Sequence, residues 1–234
     1  MLKALYNTVT RKTPSAKSVR AFFSDVYEGN LPAVRRFVTE YGADTHRDSF
    51  DNTSALCVAA SRGHVEMMKF LLEQGADVDA RDNGGDTALA RAANSGKTEA
   101  VALLLEHGAN PNVQGQYRWT ALHTSIGFNH PEIFRMLLEH GADVNIPGNG
   151  GTTPLMHAAN CGREYAITPL LERGANLDAR ADNGRTALDI LREPGRSEAI
   201  AQQLMAAKEC IERILSATTG QTISVGKPLR FCKP

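Results

Sequence analysis

The chain has 234 residues, 42% apolar and 22% charged, a balance typical of soluble globular proteins. Its 26 basic and 26 acidic residues cancel, which removes any global electrostatic reason to bind nucleic acid or an anionic membrane. No apolar run approaches a membrane span, and the scattered Cys57, Cys161, Cys210 and Cys232 form no CxxC pair, so neither a zinc ribbon nor a redox motif is signalled.

In chain order, the first segment is basic. Lys3, Arg11, Lys12, Lys17 and Arg20 precede the first acid, Asp25. A solvated leader over residues 1–18 is expected, because no clean apolar face is visible; an organelle- or membrane-targeting address is the alternative. From there a period of 33 residues organises the chain. Gly-Ala followed by Asp or Asn recurs at Gly42, Gly75, Gly108, Gly141 and Gly174. A second series in the same step starts at Ser54, Thr87, Thr120, Thr153 and Thr186, and a third is Gly63, Gly96, Asn129, Gly162 and Gly195.

One unit shows the local physics. Thr87 is a good N-cap for a short helix carrying Leu89, Ala92 and Ala93, and Gly96 ends that helix. A second helix presents Val101, Leu104 and Leu105 on one face before Gly108. The stretches around Asn83-Gly84 and Asn149-Gly150 have the chemistry of tight hairpins. No unit can bury its apolar face alone, whereas stacked neighbours can. Paired alanines, such as Ala59-Ala60 and Ala92-Ala93, let first helices approach closely.

The segment "DNGGDTALARAANSGKTEAVALLLEHGAN" and its neighbours resemble ankyrin repeats. The resemblance implies an all-α repeat solenoid of stacked helix-turn-helix units with β-hairpin tips. It covers about residues 19–205 and divides 19–216 into an N-terminal cap (19–48), repeats at 49–81, 82–114, 115–147 and 148–180, and a C-terminal cap (181–216). The cap helix carries Ile200, Leu204, Ala207, Ile211 and Leu215 on one face, and a tail follows over 217–234. The resemblance further implies a protein-binding scaffold: not an enzyme, without cofactor, monomeric, cytoplasmic, and engaging a protein partner rather than nucleic acid or membrane. It also marks Asn112 and Asn145 as occupying a position hydroxylated in some ankyrin proteins.

Catalytic and metal readings fail on their own chemistry. The glycine-rich "GNGGTT" at 148–153 lacks a phosphate-loop Lys, and no GxSxG or HExxH occurs. His157 and Cys161 share a helical face, with His123 in the previous repeat, but two ligands are too few for an ordinary metal site. The repeat frame points instead to a surface. Tip positions are small or polar in most units, but repeat 115–147 places Tyr117 and Trp119 there, and Phe128 at the outward end of its first helix. Aromatic residues and Arg dominate interface energetics. Arg118 stands where other units have Asn52, Gly85, Gly151 and Gly184, a site that favours a left-handed backbone. Tyr117, Trp119 and Phe128 are therefore the expected anchors, with Arg118, Arg62, Arg91 and Phe50 completing the partner-binding set. The competing expectation is that Trp119 folds down onto the neighbouring repeat.

Overall fold

A computed structural model describes residues 14–41, 54–193 and 195–218, with side chains as far as Glu209. Phe50, residues 1–13 of the leader, the side chains of Ile211 and Leu215, and residues 219–234 lie outside this description. The described chain forms twelve α-helices in six pairs. They are α1 (Ala16–Glu28) with α2 (Leu31–Tyr41), α3 (Ala55–Arg62) with α4 (Val65–Glu73), and α5 (Ala88–Asn94) with α6 (Thr98–Glu106). Then come α7 (Ala121–Gly127) with α8 (Pro131–Glu139), α9 (Pro154–Cys161) with α10 (Glu164–Glu172), and α11 (Ala187–Leu191) with α12 (Glu198–Thr218). The helices group into two compact units, Met1–Gln116 and Tyr117–Pro234.

In the first unit α3 packs against α1 and α5, while α4 packs against α2 and α6. In the second, α9 packs against α7 and α11, and α10 against α8 and α12. Each unit therefore has a row of first helices and a row of second helices, the arrangement of an all-α repeat solenoid. Ala59, Ala60, Ala92, Ala93, Ala158 and Ala159 are buried between first helices, where a larger side chain would force them apart. Leu71, Leu104, Leu137 and Leu170 are wholly buried and fill the second-helix layers. At the N-terminal end Phe22 and Phe37 stack at 4.3 Å, joining α1 to α2. The first helix begins at Ala16 on an Ser15 N-cap, so residues 16–18 belong to it rather than to a leader. Ile200, Leu204 and Ala207 of α12 are buried.

The sequence markers acquire causes. Thr87 and Thr153 accept from the backbone N–H three residues on, at Ala90 and Met156, and so cap α5 and α9. In the Gly-Ala-Asp/Asn series, Asp77, Asn110, Asp143 and Asn176 each accept from the N–H two residues on, an Asx turn that carries the chain out of the second helix. Asn145 then bridges repeats, donating to Gly174 O at 3.0 Å and accepting from Asn176 N–H at 2.9 Å.

The tips differ from expectation. No β-strand occurs near them among the described residues, where the tips at 82–86, 148–152 and 181–185 are turns closed by few bonds. Asp82 N–H donates to Asp86 O, Gly148 N–H to Thr152 O, and Ala181 N–H to Arg185 O. Adjacent described tips are joined by a few bonds, such as Asp182 N–H to Gly150 O at 2.9 Å and Gln116 N–H to Asp86 Oδ1 at 2.9 Å.

Candidate interaction surface

The distinctive tip is built on a short 3-10 turn, Gln116–Arg118, which leads into α7. Tyr117 and Arg118 both lie in the left-handed region, each with φ 57°. The equivalent turn Asn149–Gly151 puts Gly150 and Gly151 at φ 64° and 70°. The tip at 115–119 thus keeps the shape of its neighbour and forces two side-chain-bearing residues into it, at about 1–2 kcal/mol each. Within the turn Tyr117 stands 61% exposed, and Phe128, at the far end of α7, is 55% exposed. Arg118 is also exposed.

Trp119 does not follow them outward. It is half-buried, lying along the second unit's first-helix face. Its ring is 4.8 Å from that of His157 on α9, 6.5 Å from that of His123 on α7, and 6.1 Å from that of Tyr117. One glycine makes room for it. A Cβ at Gly148 would stand 2.8 Å from Trp119 Cδ1. The expectation that all three aromatics are exposed is therefore corrected for Trp119: bare backbone at Gly148 lets the indole settle onto the next repeat. Tyr117 is left to project beside the settled indole.

His123 and His157 form the bed. His123 is fully buried at the third position of α7, where its Nδ1 accepts from Thr120 N–H and meets Thr120 Oγ1 at 3.0 Å, a capping box. Its Nε2 then donates to Thr152 O at 3.1 Å. Burial lowers its pKa to about 4, outweighing the Thr152 carbonyl, so the ring is neutral at pH 7. Burial, and after it Arg163, also lowers the pKa of His157. The face beneath Tyr117 is thus uncharged near neutral pH.

The remaining expected residues are engaged within the first unit. The Arg62 guanidinium stacks 3.3 Å over the Tyr27 ring. Arg91 donates to buried Asp82 and lies 3.5 Å from Asp86. Asp82 also accepts from Gly84 and Asp86 N–H, so Arg91 completes the fixing of that tip.

One pattern escaped the sequence reading. His64, Lys97, His130, Arg163 and Arg196 recur at the 33-residue step, just before or at the start of second helices. His64 Nε2 meets Tyr27 O at 3.1 Å, Arg163 donates to Ile126 O and Gly127 O, and Arg196 donates to Asn160 O. These three side chains meet carbonyls at the end of the preceding first helix, where the charges of Arg163 and Arg196 also suit the helix dipole. The signal was present as a column of basic residues, obscured because three residue types share it.

A family model described as ankyrin repeats, in three copies, matches residues 22–115 and 109–181. The chain belongs to the ankyrin repeat family. Ankyrin repeats are generally protein–protein interaction modules, and the family is typically non-enzymatic. No curated protein matches the chain. No helix of this ankyrin repeat protein, among its described residues, is long and apolar enough to cross a membrane.

Proposed function

We propose that this ankyrin repeat protein is an adaptor, cytoplasmic and monomeric, that holds a partner protein against the face bearing Tyr117, Arg118 and Phe128, with half-buried Trp119 as its floor. The observation that carries the reading is the exposed Tyr117 on a left-handed backbone, where the next tip uses glycine. Beyond its contact with Trp119, folding gains little from an aromatic ring projected at such a position, whereas an interface gains a rigid amphipathic anchor. Phe128 supplies a second exposed ring on the same helix that Trp119 precedes. Arg62 and Arg91 contribute as fixers of their own local structure, with their exposed edges available to a partner.

The test is affinity capture from native lysate with the wild-type chain and with a Tyr117→Ser/Phe128→Ser variant. Both substituted side chains are exposed, so the variant is expected to keep the wild-type circular dichroism and denaturation midpoint. Loss of specific captured proteins by the folded variant is the expected result. An unchanged set of captured proteins would sink the assignment of this face.

A further inference from the structure

His157 is a buried ring whose hydrogen bonding, among the described residues, is nearly unmet. Its side chain is 8% exposed, and among the described residues its hydrogen-bonding partner is the Cys161 thiol, with Sγ 3.9 Å from Nε2. His123, one repeat earlier, has both ring nitrogens engaged. A buried polar group left this way needs an explanation, since desolvation without compensation opposes folding. The surroundings keep Nε2 clear. Gly127 lies against it, and a Cβ there would come within 2.9 Å of Nε2. The equivalent residues of neighbouring first helices are Ser61, Asn94 and Asn160, all with side chains. Cys161 is half-exposed, so the pair opens to solvent on the sulfur side.

We propose that His157 Nε2 and Cys161 Sγ form a two-donor site for a soft monovalent cation of the Cu(I) or Ag(I) class. Three features select this class. The donors are an imidazole nitrogen and a thiolate, the soft set that favours Cu(I) over hard cations. Metal–sulfur and metal–nitrogen bonds of about 2.3 and 2.0 Å reach donors 3.9 Å apart at an angle wider than tetrahedral, which suits low coordination. No three His, Cys, Asp or Glu side chains converge among the described residues, so a tetrahedral zinc set is not assembled. Charge agrees: one thiolate neutralises one monovalent cation, leaving no excess positive charge facing Arg163 and Arg196. The indole ring, its centroid 4.8 Å from that of the imidazole, stands close enough to report ligation of His157. Binding is a proton exchange without redox change. Cys161–SH releases its proton to solvent, sulfur forms the metal bond, and the Nε2 lone pair forms the second.

The probe is Ag(I), titrated into the reduced full-length chain while the fluorescence of Trp119, the sole tryptophan, is followed. Cys57→Ser, Cys210→Ser and Cys232→Ser are combined as background to silence the other thiols. A fluorescence change complete at one equivalent is expected. Cys161→Ser is expected to abolish it, and His157→Gln to weaken binding about tenfold or more. Thermal denaturation of each variant without metal confirms that the fold persists. Retained one-equivalent binding in Cys161→Ser, or undiminished affinity in His157→Gln, would overturn the proposal, the latter reducing the site to a lone thiol. Partner capture by Tyr117 and Phe128 does not depend on this outcome, because neither ring supplies a donor.

Discussion

At the scale of single residues, backbone conformation and bare glycine explain the aromatic tip. Tyr117 and Arg118 occupy left-handed positions that Gly150 and Gly151 fill one repeat later. Comparing Arg118→Gly with Arg118→Ala isolates the backbone, since both remove the side chain. The glycine variant is expected to be more stable than the alanine variant by about 1 kcal/mol in urea denaturation. Gly148 has an ordinary negative φ, so its role is purely steric: it admits the indole. Gly148→Ala is expected to destabilise the chain by about 1–3 kcal/mol through overpacking. It should also shift Trp119 emission to the red and increase its quenching by acrylamide. Unchanged emission would mean that the ring does not rest there. Which residue types stand at this tip was legible in sequence. The direction of Trp119 was not, because it depends on a side chain missing at Gly148, in the next repeat.

At the scale of elements, short helices are held by their ends. The caps at Thr87 and Thr153 follow directly from residue type and position. The opposite ends are completed from the following repeat. Arg163 donates to Ile126 O at 3.1 Å and Gly127 O at 3.1 Å, covering the last carbonyls of α7. Arg163→Ala is expected to cost about 1–3 kcal/mol, the range for charge-assisted hydrogen bonds to buried groups. Arg163→Lys should recover only part of that loss, because an ammonium cannot span two carbonyls as a planar fork does. Denaturation midpoints of the three proteins check this order. Hairpin tips are not confirmed among the described residues: Asn-Gly and Gly-Gly chemistry specifies a turn, but a ladder also needs flanking strands to pair, and the described tips are joined by only a few bonds.

At the scale of the whole molecule, buried histidines couple stability to pH. His123 has a folded pKa of about 4 against an ordinary value of 6.5. The unfolded chain therefore binds more protons between these values, and stability falls as pH drops through that window. The contribution is fully present above pH 6.5 and exhausted below about pH 4, amounting to about 3 kcal/mol. His157, also lowered by burial, acts in the same direction. Urea midpoints at pH 7 and pH 5 should thus differ, and the difference should shrink in His123→Gln. A difference unaltered by that substitution would place the titration elsewhere.

The sequence by itself determined the repeat architecture, its period, its caps and the repeat in which the surface departs from pattern. These are local or periodic properties: a cap needs one residue type, and a repeated pattern reports the same core contact many times over. Only the tertiary structure decided which aromatics face outward, that Arg62 and Arg91 are held by Tyr27 and by Asp82, and that Trp119 rests beside His157. Those outcomes depend on pairs of side chains that are distant in the chain or turned by helix geometry. They also depend on a Cβ missing at a single point, which no periodicity records.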